Sequence, residues 1–161
     1  LGMRLARKLG TITYRSAAEW NLRFGRRRVP ETAGLSGDFR PQFEVEAYLE
    51  HQAQRFADSF DANAYLYLSR AMDQFDLAEH GGGSLDAAFA KFSGVQRTLV
   101  LGAQTDMLYT IDQQTLIAEH LRKAGVEVEF HAFPSPQGHD AFLVDNARFE
   151  PAIARFLAKL G

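Results

Sequence analysis

The sequence predicts an α/β protein in which short parallel strands are covered by helices, preceded by a helical layer. Three observations carry this. A leucine- and valine-rich run, "RTLVLGAQTD" over 97–106, reads as a buried strand. "VEVEFHAF", 126–133, alternates apolar and polar side chains and reads as a second. An amphipathic helix separates them and another follows, so a right-handed crossover lays the strands side by side in parallel.

Taken in order, 1–24 place Met3, Leu5, Leu9, Ile12, Leu22 and Phe24 among polar residues. That spacing predicts two short helices with a break near Gly10 to Tyr14. Residues 25–41 hold three glycines and two prolines and form a loop. From Phe43 onward, Val45, Tyr48, Leu49, Gln52, Phe56 and Phe60 line one helical face. A second helix follows, with Asp61 or Asn63 as its cap. These two aromatic-rich helices are either ordinary core or a lid or dimer surface. "EHGGGS", 79–84, reads as a flexible link and Ser84 to Phe92 as one short helix.

The first strand should stop at Gly102. Residues 112–124 form a helix with Asp112 at its start and Arg122 and Lys123 at its end, matching the helix dipole. Gly125 suits the position just past it. After the second strand comes "PSPQGHD", then a helix over 146–160 with Phe149, Ile153, Phe156, Leu157 and Leu160 inward. The organisation is therefore 1–92, a helical region with its connecting loop 25–41, and 93–161, strands with covering helices.

The chain has 161 residues, 46% hydrophobic and 24% charged, with a net charge of −2. That is ordinary for a globular domain and gives no general reason to bind nucleic acid or anionic lipid. Arg23, Arg26, Arg27 and Arg28 form one basic cluster, either a solvated helix end or a contact for phosphate or CoA. There is no cysteine, which excludes disulfides and thiolate chemistry. No apolar run reaches the roughly 18 residues of a membrane span, and a cytoplasmic location is expected. The histidines are too scattered for a metal centre. Leu1 is an implausible translation start, so the chain reads as an internal cut.

In sheets of this kind, function gathers just beyond the carboxyl ends of the strands. Asp106 follows the first strand there and His139 the second. A carboxylate on one imidazole nitrogen fixes the tautomer and leaves the other nitrogen to take a proton from a hydroxyl. The order acid then histidine matches an α/β-hydrolase, with the nucleophile earlier in the chain. Asp112 is the nearer helix cap, which frees Asp106. Yet no G-x-S-x-G elbow is present. "GLSGD" around Ser36 places Asp38 where glycine is needed, so Ser36 is rejected as nucleophile. His51, His80, His120 and His131 read as structural.

The segments "ITYRSAAEWNLRFGRR", "VEAYLEHQAQRFADSFDANAYLYLSRAMDQFDL" and "GHDAFLVD" together resemble the C-terminal half of the homoserine O-acetyltransferase family. That family includes serine and homoserine O-succinyltransferases and has the α/β-hydrolase fold. The resemblance implies that Asp106 is the triad acid and His139 the general base. It implies that Asp140 receives the α-amino group of the substrate and Arg15 its α-carboxylate. It further implies a ping-pong transfer from acyl-CoA, as co-substrate, to the hydroxyl of L-homoserine or L-serine in methionine or cysteine biosynthesis. No other cofactor is implied. The nucleophilic serine and oxyanion hole would lie in an N-terminal half, and the helices between Phe43 and Met72 would form a lid that builds a homodimer. "PSPQGHDAFL" and "GAQTDMLYTIDQQ" depart from the commoner acetyltransferase forms and lean toward the succinyl-transferring or serine-using branch. Other readings are a hydrolase using water, or an inactive dimerisation fragment. Alone, the chain is expected to be inactive and poorly stable.

Overall fold

The computed structural model describes residues 1–30 and 41–160. Part of the predicted loop 25–41, with Ser36 in it, lies outside the described residues. The described chain runs α1 (Gly2–Thr13), α2 (Ala17–Arg23), α3 (Glu44–Ser59), α4 (Ala62–Asp73), a 3-10 turn (Leu77–Gly81) and α5 (Leu85–Phe89). There follow β1 (Arg97–Ala103), α6 (Ile111–Lys123), β2 (Glu127–Phe133), α7 (Ala141–Val144) and α8 (Asn146–Ala158).

β1 and β2 pair in parallel, in register from Arg97 opposite Glu127 to Ala103 opposite Phe133. The parallel arrangement predicted from the two runs and the helix between them is thus what forms. One sheet face carries Val100, Val128 and Phe130, and packs with Phe89, Ala118, Leu121 and Val126. The other carries Leu101, Ala103 and Phe133, against Ala141 and Phe149. Side chains alternate across a strand, so α5 and α6 cover one face and α7 and α8 the other. Leu77 and Phe89, which precede residue 93, pack into the strand core.

Several local expectations shift. Gly10 stays inside α1, and the break comes at Tyr14 to Ser16, where the Ser16 hydroxyl accepts the Glu19 N–H and starts α2. β1 does not stop at Gly102. A Cβ there would sit 2.8 Å from Ile111 Cδ1 and 3.2 Å from Gln114 Cγ, so this glycine lets α6 lie close on the strand. The N-cap of α6 is Thr110, whose N–H donates to Gln113 Oε1, rather than Asp112. The "EHGGGS" link begins as the end of a 3-10 turn capped by Asp76. Of the two caps proposed for α4, Asp61 serves, accepting from Ala64 N at 2.7 Å.

The last helix differs most. Phe149 and Ala152 are buried, but Ile153, Leu157 and Leu160 are exposed rather than inward. The reason is width. Two strands about 4.8 Å apart are narrower than a helix with its side chains, at roughly 10 Å, so only one stripe of α8 finds sheet beneath it. The first helices behave similarly. α3 packs on α1, burying Ala53 and Thr11, while Leu5, Leu9 and Ile12 face outward. α4 buries no residue at all and presents Leu66, Tyr67, Leu68 and Met72.

Candidate active site

β1 ends in a turn that Asp106 builds. Its Oδ1 accepts the N–H groups of Leu108 at 2.8 Å and Tyr109 at 3.0 Å. These bonds fix the carboxylate and leave Oδ2 pointing across the sheet end. There it meets His139 Nδ1 at 2.9 Å. An ionised carboxylate cannot donate, so Nδ1 carries the hydrogen and the pair sets the histidine tautomer. Asp106 and His139 side chains are 10% and 20% exposed, enclosed but reachable. Among the described residues nothing bonds to Nε2, the nitrogen left to take a proton. No serine or threonine hydroxyl in that set reaches it either.

The loop carrying His139 is fastened at several points. Thr105 Oγ1 donates to Ser135 O at 2.6 Å and accepts Gly138 N–H at 3.0 Å. Ser135 is fully buried, and its hydroxyl donates to Asp145 Oδ2 at 2.6 Å. That bond, with help from Arg148, holds the Asp145 carboxyl below the usual carboxylate range against the opposing effect of burial. Gly138 has φ +66°, and a Cβ on it would lie 2.6 Å from Tyr14 O and 2.9 Å from Arg15 Cα. Only glycine allows this approach. Through it, His139 N donates to Tyr14 O at 2.7 Å, and the Ser16 hydroxyl donates to Pro136 O.

That contact brings the α1–α2 corner to the sheet end. Tyr14 and Tyr109 flank the imidazole, with ring centroids 5.4 and 5.0 Å away. Arg15 Nη2 lies 3.4 Å from Asp140 Oδ2, and Arg15 Nη1 donates to Glu19 Oε1. The four residues singled out from the sequence, Arg15, Asp106, His139 and Asp140, are therefore brought together, although 91 positions separate Arg15 from Asp106. Glu19 is a fifth member that the sequence reading passed over. Its signal was the i,i+4 spacing from Arg15.

The remaining candidates lie elsewhere. His120 bonds Asp86 at 2.7 Å and stacks on Phe89. His131 stacks on Phe133 in β2, and His51 and His80 lie on α3 and the 3-10 turn. In the basic cluster, Arg23 covers Tyr48, Arg26 and Arg28 lie near the Phe43 ring, and Arg27 pairs with Glu44 at 2.7 Å. These contacts favour the solvated helix end over a phosphate contact. No cluster of metal-ligating side chains occurs among the described residues. No described helix is long and apolar enough to cross a membrane.

No protein-family model matches the chain. Individual proteins do. A serine O-succinyltransferase of Litchfieldella anticariensis is 54% identical over 157 residues, which is 98% of this chain and 42% of that protein. The chain is a relative of the serine O-succinyltransferases. A second, from Xylella fastidiosa, is 52% identical over 99% of this chain and 43% of its own length. The chain thus spans well under half the length of these relatives. Among solved structures, homoserine O-acetyltransferase from Bacillus anthracis superposes with a TM-score of 0.78. It is 23% identical, covers 97% of this chain and 40% of its own, and speaks for the fold alone. Esterase E22 gives 0.76 at 26% identity, over 97% of this chain and 42% of its own. The fold is therefore the C-terminal part of an α/β-hydrolase, and the resemblance to the acyltransferase family read from the three quoted segments is upheld.

Proposed function

We propose that this chain supplies the acid–base pair and the amino-acid site of an amino-acid O-acyltransferase. The acyl group is succinyl, delivered by its CoA thioester, and the acceptor is L-serine. The observation that carries this is the adjacency of two pairs. His139 belongs to an Asp–His couple, and the next residue, Asp140, belongs to an Arg–Asp couple. A zwitterionic amino acid held by Asp140 and Arg15 has its side-chain hydroxyl in the neighbourhood of His139 Nε2. The identity of the relatives at 52–54% supports the succinyl group and serine over the acetyl group and homoserine.

In this mechanism His139 first takes the proton of a serine on a companion portion of polypeptide, and that serine attacks the thioester carbonyl. CoA leaves as its thiol, with the proton from His139. His139 then takes the proton of the substrate hydroxyl, which attacks the acyl-serine; the bond to the serine oxygen breaks, and His139 returns the proton to that oxygen. Asp106 stabilises the imidazolium in both halves. Backbone donors on the companion portion stabilise each oxyanion. In the absence of substrate, Arg15 is shared between Glu19 and, more loosely, Asp140. A zwitterion exchanges that looser internal pair for two external ones, so a molecule lacking either charge leaves a partly buried charge unmatched.

The exposed stripes on α1 and α8 are surfaces for the companion portion to cover. The exposed face of α4 fits the lid and homodimer contact, and a cytoplasmic enzyme of cysteine or methionine supply fits the chemistry. The likeness to esterase E22 supports a second reading, hydrolysis with water as acceptor. Measuring CoA release from succinyl-CoA against L-serine, L-homoserine, serine methyl ester and N-acetylserine separates the two. The transferase reading expects sustained release only with the free amino acids, and L-serine first. Release that is the same with and without amino acid would establish the hydrolase.

A further inference from the structure

Glu19 is the group in this region whose placement local structure does not explain. It is the third residue of α2, after the Ser16 cap. A glutamate there ordinarily turns back to the N–H of the capping residue. Here it does not. Its side chain is 6% exposed, Oε1 accepts from Arg15, and Oε2 is buried with no hydrogen-bond partner among the described residues. Arg23 Nη1 is 3.9 Å away, a weaker second cation. A carboxylate buried with one oxygen unpaired is costly unless its charge is used.

Arg15 shows the use. Its planar guanidinium presents a fixed fork of donors. Glu19 holds one arm, which turns the other, Nη2, toward Asp140. Glu19 also competes with Asp140 for the same cation. The Arg15–Asp140 contact is accordingly loose at 3.4 Å, outside good hydrogen-bond length.

We infer that Glu19 is a positioning residue for the amino-acid acceptor. Its buried carboxylate aims Arg15 and keeps the Arg15–Asp140 pair open to an incoming zwitterion. This rests on the reading of Arg15 and Asp140 as the amino-acid clamp. Without Glu19, Arg15 is free to close fully on Asp140, and the amino acid then has a tighter pair to break.

The test uses the active enzyme, this chain together with the polypeptide that completes its relatives' length, carrying Glu19→Gln, Glu19→Asp or Arg15→Lys. Two quantities are followed: KM for L-serine, and the rate of covalent acylation by succinyl-CoA before any amino acid is added. Glu19→Gln, which keeps an acceptor but removes the charge that aims Arg15, is expected to raise KM for L-serine about tenfold, the difference between a charge-assisted and a neutral hydrogen bond, while the acylation rate holds. Glu19→Asp, which keeps the charge but withdraws it from Arg15, is expected to move KM the same way and serves if the glutamine variant folds poorly. Equal losses in acylation and KM would mean that Glu19 only maintains the fold, and the inference would be overturned. An unchanged KM in both Glu19 variants, with a raised KM in Arg15→Lys, would overturn it while leaving the clamp intact. An unchanged KM in Arg15→Lys as well would remove the clamp itself and the inference with it.

Discussion

Gly138→Ala tests the claim that the α1–α2 corner and the histidine loop work as one unit. The added Cβ meets Tyr14 O at 2.6 Å and Arg15 Cα at 2.9 Å, both backbone atoms that no rotamer change can clear. Restoring an ordinary nonbonded separation near 3.5 Å requires the two segments to part by roughly 0.5–1 Å. That movement breaks the 2.7 Å bond from His139 N to Tyr14 O and draws Arg15 away from Asp140. A misplacement of this size at a reacting centre costs on the order of 100-fold in rate. Separately, a non-glycine residue at φ +66° costs about 1–2 kcal/mol. Gly82→Ala isolates that second effect. Gly82 has φ +65°, but nothing lies within 4 Å of its Cβ position, and it closes the 3-10 turn that packs on α5 rather than the histidine loop. Both variants should therefore melt lower, whereas only Gly138→Ala should lose kcat/KM for amino-acid acylation, by about two orders of magnitude. Melting curves and steady-state assays of the two proteins decide it. A Gly138→Ala enzyme within threefold of Gly82→Ala would refute the reasoning, since the corner would then not govern the site.

Asp106→Asn keeps the turn but lets Nδ1 lose its fixed proton, and kcat should fall by about 10³–10⁴ with KM for L-serine little changed. Phe89→Ala empties the centre of the core beneath α6, where Phe89 stacks on His120 with ring centroids 5.0 Å apart, and should cost about 3–5 kcal/mol in denaturant unfolding. Ser135→Ala should be pH-dependent. Asp145 has a lowered folded-state pKa, so its stabilisation is complete above the unfolded value of about 3.9 and disappears as pH falls through the lowered one. The melting-temperature gap between the unsubstituted protein and Ser135→Ala should accordingly be wide at neutral pH and narrow in strong acid. A gap independent of pH would assign the loss to packing rather than to the Asp145 charge.

The strands and α6 were legible because each declares its period over several residues, and parallel pairing followed from the helix between them. The pairing of Asp106 with His139 was legible for the same reason: topology puts both turns at one sheet edge. The start of α2 is also legible, as Ser16 followed three positions later by Glu19, whereas Gly10 is a familiar helix breaker that does not break α1. In the interior of α1 that glycine costs only about 1 kcal/mol and is tolerated. The outward turn of Ile153, Leu157 and Leu160 was not legible, because helical periodicity shows which residues share a face and not how wide a surface awaits them. The Ser135–Asp145 clasp and the buried arm of Glu19 depend on tertiary folding of loops. The i,i+4 spacing marks Glu19 as a partner for Arg15, but spacing does not show that its carboxylate declines the local cap or that its second oxygen is buried.

The central claim is a division of labour: His139 with Asp106 moves protons in both half-reactions, while Arg15 with Asp140 serves only the second. Intact mass spectrometry of the active enzyme, incubated with succinyl-CoA and then with L-serine, tests it directly in the His139→Ala and Asp140→Asn variants. The account predicts no covalent succinyl adduct on His139→Ala. It predicts an adduct on Asp140→Asn that forms normally, resides on the companion portion and resists discharge by L-serine. An adduct on a serine of this chain, or one on Asp140→Asn that L-serine removes at the unsubstituted rate, would contradict it.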